Sequence, residues 1–275
     1  MSIASITVIS AERHDRLRQF LKDLWDYREL FYTFLERDLK VRYKQTALGA
    51  VWVILQPLVA TGAYVLIFGK IAKMPTDGLP YALFYFAATV PWSAFARELS
   101  GSAMSVEANA HLISKIYFPR VVVPFAVVTA SLVDFLIGWV TLNIVAVWMG
   151  YWHWSILAIT PLLLLIQWAT GLGMGLVLAA LNAQYRDVKH VVGFLVQIMM
   201  LATPVIYPLS RLPQWAQQIA FLNPMAIVVE SYRSCFKGGQ FNWYLLATSG
   251  LVALLYFIFG FWFFRKRENT LADIL

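Results

Sequence analysis

The chain has 275 residues, of which 60% are hydrophobic and only 13% are charged. A soluble domain carries roughly 25% charged and about 45–50% apolar residues, so this chain has too few charges to cover a water-exposed surface. The net charge of +7 fits the basic cytoplasmic loops of a membrane protein and does not require a nucleic-acid partner. The single cysteine, Cys235, excludes an intrachain disulfide and a cysteine-rich metal site.

The N-terminal segment, residues 1–48, ends in a stretch with the pattern of an amphipathic helix. Its large apolar side chains fall on one helical face: Leu30, Phe31, Phe34, Leu35 and Leu39. A helix of this kind lies in the membrane interface rather than across the bilayer. Two roles are open for it, a simple anchor or a helix that also contacts a partner or gates a pore entrance.

Six stretches between residues 49 and 264 are apolar and long enough to be membrane spans, each of which needs about 20 residues. They are residues 49–69, 79–95, 121–148, 155–181, 191–208 and 243–264. We therefore predict an all-α integral membrane protein with six transmembrane helices in residues 49–264 and a cytoplasmic tail in residues 265–275.

A shorter apolar stretch, residues 219–229, lies between the fifth and sixth predicted spans. It is too short to cross the bilayer, and Asn223-Pro224 interrupts it. We predict a re-entrant or interfacial helical segment, whose backbone must be covered by protein or by water.

Two further patterns predict contacts between or within helices. Gly171, Gly173 and Gly175 in the fourth span allow a close approach of backbones, either within the bundle or between subunits. Glu230 and Arg233 are spaced to form an ion pair on one face of a helix.

The distribution of Lys and Arg predicts that both termini are cytoplasmic. In that orientation, 17 of the 22 Lys and Arg residues lie on the cytoplasmic side, and the opposite topology would reverse this bias. Four tryptophans at predicted outer span ends fit an aromatic belt: Trp148, Trp152, Trp154 and Trp243.

Two predicted cytoplasmic segments carry more polar residues than simple connections need. The segment between spans two and three, residues 96–120, predicts a short helix at residues 105–115. The loop between spans four and five contains the sequence QYRDVK at residues 184–189. Because both segments face one compartment, they are either solvated connections or a docking surface for a soluble partner.

Four motifs occur in order along this topology. They are RDLKVRYKQTALGAVWVILQP at residues 37–57, NAHLISKIYFPR and Pro124 within residues 109–124, AQYRDV at residues 183–188, and LNPMAIVVESYR at residues 222–233. With these motifs the chain resembles the permease subunits of ABC-2 type exporters, in the branch that moves O-antigen, capsule or teichoic-acid polysaccharides. The resemblance covers nearly the whole chain.

The resemblance implies a homodimer in the bacterial inner membrane, surrounded by membrane lipids and bound to two copies of a cytoplasmic ATPase. ATP and Mg²⁺ then belong to that partner, and this chain is not an enzyme and holds no cofactor. The implied cargo is a glycan on an undecaprenyl pyrophosphate carrier, with O-antigen preferred and capsule or teichoic acid as alternatives. The amphipathic helix then lies beside the pore entrance, and residues 219–229 correspond to outer re-entrant helices.

The same resemblance makes the segment between spans two and three similar to a coupling helix that docks on the ATPase. The expected ATPase-coupling residues are Glu107, Asn109, His111, Lys115, Arg120, Arg186 and Asp187.

The source of energy for transport is predicted to lie outside this chain. The sequence contains no GxxxxGK[ST] phosphate loop, so either a partner or an ion gradient must supply the work. Asp134 is the one acidic residue within the six predicted spans, whereas ion-coupled transporters generally need several such groups. The scarcity of acidic residues in the spans favours ATP over an ion gradient as the source of energy. Asp134 is either a coupling residue or a structural group bonded to neighbouring helices.

A hydrated glycan is best accommodated by a path lined with aromatic and neutral polar side chains, because aromatic faces contact sugar C–H groups. The candidates for that path are Trp52, Gln56, Tyr64, Phe84, Tyr85, Trp92 and Tyr207, and Gln197 adds a further amide. Packed or lipid-facing aromatics are the alternative explanation for the same residues.

Basic residues before the first span are candidates for binding the pyrophosphate of the carrier, since Arg makes forked contacts with phosphate oxygens. These lipid-phosphate or gate candidates are Arg37, Lys40, Arg42 and Lys44. The alternative is the ordinary excess of positive charge on the cytoplasmic side.

Two functions of other classes stay open. One is an ion-driven flippase, and the other is a membrane glycosyltransferase, which needs clustered acidic residues and usually a divalent metal. Glu98, Glu107 and Asp187 are isolated and show no paired spacing. A neighbouring gene for a phosphate-loop ATPase, and ATP hydrolysis only by the complex, would separate these functions from an ABC exporter.

Overall fold

The computed structural model describes residues 25–44, 51–116, 118–185 and 187–274. In these ranges the chain forms helices joined by turns and contains no β-strand. The α-helices in chain order are α1 Arg28–Lys44, α2 Val51–Tyr64, α3 Tyr81–Ala108, α4 Ala110–Ile113, α5 Val122–Trp148, α6 Ser155–Gln184, α7 Val188–Ala202, α8 Gln214–Ile219, α9 Pro224–Cys235 and α10 Trp243–Ile274. A π-helix, Val65–Ile71, continues α2, and 3₁₀ turns cover Leu209–Arg211 and Ala220–Leu222.

Four segments of the described chain are long and apolar enough to cross a membrane. They are Val51–Ile71, Val122–Trp148, Ser155–Gln184 and Trp243–Glu268. The first, third, fourth and sixth predicted spans are thus confirmed as helices of sufficient length and composition. The six-span topology stays a prediction, because α3 and α7 do not meet the same criteria.

The second and fifth predicted spans differ from the expected helices in opposite ways. α3 has 28 residues and continues well beyond the predicted end at residue 95, so Arg97 and Glu98 lie within it. α7 has only 15 residues and ends at Ala202, two residues before Pro204. Proline lacks a backbone N–H and disfavours the helical conformation of the residue before it, so Pro204 accounts for the early end of α7.

The predicted loop helix at residues 105–115 has the wrong bounds. Residues 105–108 are the last turn of α3, and α4 covers only Ala110–Ile113. The break falls at Asn109, whose φ of −111° and ψ of 16° are not helical. Asn109 stabilises the break by donating its side-chain N–H to the Ser105 carbonyl at 2.7 Å.

α6 lies at the centre of the bundle, and its glycines contact two different helices. A Cβ on Gly171 would lie 2.4 Å from Glu98 Oε2, and one on Gly175 would lie 2.5 Å from Ser102 Oγ, so this face of α6 packs on α3. A Cβ on Gly173 would lie 2.4 Å from the Tyr256 carbonyl carbon, so this face packs on α10. The glycine pattern is therefore confirmed as close packing within the bundle.

Several helices of the described chain expose apolar surface. α10 exposes Leu251, Leu254, Leu255, Ile258 and Phe259, and α5 exposes Val140, Ile144 and Val147. α2 has little buried surface and exposes Val51, Trp52, Leu55, Leu58 and Val59. α7 likewise exposes Val191, Phe194, Ile198 and Leu201. Apolar faces of this size are expected to be covered by lipid or by another protein chain.

Candidate functional site

We call the end of the bundle where α1, α4 and the last turns of α10 meet the α4 end. A buried carboxylate lies inward from this end, near the middle of α5. Asp134 of α5 is only 1% exposed and accepts hydrogen bonds from Arg42 Nη1 and Tyr43 Oη of α1. Arg97 Nε of α3 lies 3.1 Å from Asp134 Oδ2. A buried carboxylate is costly unless it is paired and hydrogen-bonded, and Asp134 satisfies both conditions. It therefore joins the end of α1 to α3 and α5.

The hydroxyl of Tyr43 is held in its protonated form. Burial raises the pKa of the Tyr43 phenol, and the hydrogen bond to Asp134 raises it further. A protonated phenol donates, so Tyr43 supplies a neutral donor beside the two guanidinium groups of Arg42 and Arg97. The Asp134 cluster, by which we mean Arg42, Tyr43, Arg97 and Asp134, thus carries two positive charges against one negative charge.

The apolar face of α1 packs against protein. Phe34 is buried, and its ring centroid lies 5.8 Å from that of Phe118. One turn later, Arg37 Nη1 donates to Asn109 Oδ1 at 2.6 Å. The predicted amphipathic face is therefore real at Phe34, whereas the position of α1 in a membrane interface stays a prediction.

The four lipid-phosphate candidates lie on the last two turns of α1. Arg37 and Arg42 are bonded to Asn109 and Asp134, while Lys40 pairs with Glu36 at 2.5 Å. Lys44 is exposed. Their predicted role in binding phosphate is not tested by this arrangement.

The described ATPase-coupling candidates divide into bonded and exposed groups. Glu107 Oε2 accepts from Asn182 Nδ2 at 2.8 Å, which joins the ends of α3 and α6. Asn109 is buried. The exposed members are His111, Lys115 and Asp187, and Arg186 lies outside the described residues.

Arg120 is fixed by a residue that the sequence analysis did not single out. Its backbone N–H donates to Glu268 Oε1 at 2.8 Å, and its guanidinium donates to the Glu268 carbonyl. Arg267 Nη1 donates to Gln184 Oε1 at 3.0 Å in the same region. No local spacing indicates these contacts, because the partners are far apart in the sequence.

The substrate-path candidates also divide into two groups. Trp52 is 52% exposed, and Gln56 lies beside it on the exposed face of α2. Tyr64 and Tyr207 are half-buried. In contrast, Phe84, Tyr85 and Trp92 lie in the hydrophobic core of the described chain and present no ring to its surface: Tyr85, for example, packs edge-on against Phe84 at 5.2 Å.

A second acidic residue is buried in the bundle, contrary to its assignment to a loop. Glu98 of α3 accepts a hydrogen bond from Gln167 Nε2 of α6 at 2.9 Å. Its other carboxylate oxygen lies against Gly171, where a side chain would collide with it. The sequence pattern missed this position because the predicted second span ended three residues earlier.

The opposite end of the bundle, where α9 meets the start of α3, contains a fully buried arginine. Arg233 donates to the carbonyls of Pro204 at 2.6 Å and Val205 at 2.7 Å, and more weakly to those of Tyr207 and Phe84. Its guanidinium also lies 3.5 Å from the centroid of the Phe84 ring. The predicted pair with Glu230 is present at 3.6 Å, but the carbonyls released by the break after α7 are the closer partners.

The described residues contain no group of three or more His, Cys, Asp or Glu side chains that could hold a metal ion. What they present instead is a set of helix-to-helix contacts at the α4 end and an exposed apolar face on α2.

Comparison with known proteins identifies the family. Residues 29–237 match the ABC-2 type transporter family. The chain belongs to this family. The match includes α1, all the described helices through α9 and the Asp134 cluster, and it confirms the resemblance inferred from the four motifs.

Among its relatives in the ABC-2 family are permeases named for polysaccharide export. The chain is 30% identical over 220 residues to the O-antigen export system permease protein RfbA of Myxococcus xanthus, which covers 79% of this chain and 84% of the relative. A protein of the same name from Klebsiella pneumoniae is 28% identical over 90% of this chain and 95% of its own length. The polysialic acid transport protein KpsM of Escherichia coli is 23% identical over 86% of this chain and 92% of its own length.

Proposed function

We propose that this chain is the permease subunit of an ATP-driven exporter that moves O-antigen on a lipid carrier across the bacterial inner membrane. The observation that carries the proposal is the similarity to O-antigen export permeases over nearly the full length of both chains. Capsular polysaccharide is the second candidate cargo, because the relatives named for polysialic acid and capsule export match at lower identity.

The proposed orientation places the α4 end in the cytoplasm. Exposed basic residues at the α4 end, such as Lys44, Lys115 and Lys189, support this orientation, since Lys and Arg are in excess on the cytoplasmic side. Exposed aromatic side chains at the opposite ends of the long helices mark a membrane–water boundary there. They include Trp148, which is 86% exposed, together with Trp154 and Trp243. Both chain termini are then cytoplasmic.

The proposed substrate path lies between two copies of the chain. The exposed faces of α2 and α7 are the candidate lining, and Trp52 and Gln56 offer an aromatic face and an amide on one side of α2. The core positions of Phe84, Tyr85 and Trp92 give those residues a supporting role behind this lining.

The proposed docking site for the ATPase is the exposed surface of the α4 end. We define this docking surface as His111, Lys115, Ile116, Tyr185 and Asp187. Ile116 and Tyr185 are exposed apolar groups next to charged ones, which is the composition expected of a protein contact.

The proposal is tested by deleting the gene and isolating the lipid-linked glycan that accumulates. Accumulation of lipid-linked O-antigen, restored to normal by the intact chain together with its ATPase, supports the assignment. Accumulation of a capsule precursor selects the second cargo. Transport that continues with a hydrolysis-deficient ATPase and stops when the ion gradient is collapsed would contradict ATP-driven export.

Trp52→Ala tests the path. Loss of one broad aromatic contact of about 1–3 kcal/mol should lower export roughly tenfold at an unchanged protein level. The matched control is Trp148→Ala, which removes an even more exposed tryptophan from the opposite end of the bundle. Equal export by both variants would contradict the proposal that Trp52 lines the substrate path.

A further inference from the structure

One turn of α10 is hydrogen-bonded to one of the loops that form the docking surface and to the helix residue from which the other loop begins. Arg120 lies in the connection from α4 to α5. The Glu268 carboxylate accepts a hydrogen bond from its backbone N–H, and the Glu268 carbonyl accepts one from its guanidinium. The preceding residue, Arg267, donates to Gln184 at the end of α6, directly before the loop that carries Tyr185 and Asp187. Adjacent residues of one helix therefore hold the first loop and the start of the second, which are distant in the sequence.

The geometry of these contacts favours a fixed arrangement. The two bonds between Arg120 and Glu268 run between different pairs of atoms, so they define an orientation as well as a distance. The guanidinium of Arg267 lies 4.2 Å from the centroid of the Phe263 ring, which orients it before it reaches Gln184. Phe118 anchors the first loop from the other side, because it is buried against Phe34.

The residues that are hydrogen-bonded to α10 differ from the exposed residues of the docking surface. Arg120 and Gln184 are half-buried behind the loops, whereas Ile116 and Tyr185 are 55% and 62% exposed. The end of α10 thus supports the docking surface from behind and leaves its exposed side chains available for contact.

We propose that Arg267 and Glu268 are positioning residues that hold the two loops together as one docking surface for the ATPase subunit. The inference rests on the proposed function. Hydrogen-bond networks and rigid helices carry coupling between distant sites, and two loops joined to one helix move with that helix. Releasing either loop therefore weakens the connection between ATP hydrolysis and export.

The test uses the full chain co-purified with its ATPase and reconstituted in liposomes. A benzophenone maleimide is attached to His111→Cys or to Tyr185→Cys, one in each loop; the native Cys235 is buried and does not compete for the reagent. The yield of photo-crosslink to the ATPase reports docking of each loop. The amount of lipid-linked glycan exported per ATP hydrolysed reports coupling.

The expected effects are specific to each loop. Glu268→Ala lowers the crosslink yield from position 111 more than from position 185, and Arg267→Ala does the reverse. Each variant lowers export per ATP by roughly fivefold, at the lower end of the range known for coupling between sites. Glu268→Gln restores most of the coupling, because its amide oxygen still accepts the N–H of Arg120.

Lys266→Ala is the matched control. It shortens a cation in the same turn whose ammonium lies over the Trp262 ring at 5.3 Å, and it should leave both yields and the coupling ratio unchanged. The inference is overturned if Lys266→Ala lowers the crosslink yields and the export per ATP as much as the other variants do. It is also overturned if Glu268→Ala and Arg267→Ala keep normal yields and coupling. A failure of both cysteine positions to crosslink in the otherwise unaltered chain contradicts the docking proposal itself.

Discussion

Two regions of the bundle bury charge in different ways. Arg233 is surrounded by backbone carbonyls from the break after α7 and from α3. Asp134 is surrounded by side chains, two of which come from α1. Backbone acceptors cannot leave unless the fold opens, whereas side chains can rotate away. We therefore expect Arg233 to stabilise the fold of the bundle, and the Asp134 cluster to stabilise mainly the attachment of the end of α1.

Arg233→Met should have the largest effect, because it leaves the carbonyls of Pro204 and Val205 without their donor in a buried site. Each unsatisfied buried group costs about 1–3 kcal/mol, so we expect a loss of several kcal/mol and little folded protein. The measurement is the yield and melting temperature of the detergent-purified protein.

Lys237→Gln serves as the control for Arg233. It removes a nearby cation whose pair with Asp77 is long, at 3.7 Å, and partly exposed, so about 0–1 kcal/mol should be lost. A melting temperature for Arg233→Met as high as that of Lys237→Gln would remove the distinction between the two regions.

Asp134→Asn should be the next largest change and should act locally. It leaves Arg42 and Arg97 without their carboxylate, at a cost of about 3 kcal/mol because both arginines are mostly buried. We expect a spin label at Lys44→Cys to gain mobility and the melting temperature to fall less than in Arg233→Met. Unchanged mobility at position 44 would contradict a role of Asp134 in holding the end of α1.

Tyr43→Phe removes one neutral donor from the Asp134 cluster and should cost about 1 kcal/mol of stability.

Gly173→Ala tests the middle of the bundle, which must stay fixed if the two regions behave independently. Its added Cβ would lie 2.4 Å from backbone of α10, so α6 and α10 must separate, at a cost of about 2 kcal/mol. Gly193→Ala on α7 is the matched control, because nothing lies within 4 Å of its added Cβ. The melting temperature should fall for the first variant only.

Local patterns in the sequence were sufficient to predict the apolar helices. α2, α5, α6 and α10 were predicted because a run of about 20 apolar residues is itself the physical requirement for a span. The family was also predictable, since four motifs occurred in order. The bounds of α3 were not predictable, because Arg97 and Glu98 are charged residues typical of a loop. Their burial depends on partners in α5 and α6.

The partners in the candidate site were beyond local patterns. Asp134 was recognised as unusual, but the residues that neutralise it lie 92 and 37 positions earlier in the chain, at Arg42 and Arg97. Arg233 was predicted to pair with Glu230, although its main acceptors are carbonyls, which every residue has and no sequence pattern marks. The proposed substrate, docking and phosphate residues stay predictions.

The shortness of α7 has a consequence for the surrounding lipid. Its 15 residues rise only about 22 Å, whereas the hydrocarbon layer of a bilayer is about 30 Å thick. If α7 is a span, a bilayer beside it would thin or draw its headgroups inward, since the chain beyond Ala202 has left the helical path. A carrier-bound sugar passing beside α7, as proposed above, would then cross a narrower insulating layer.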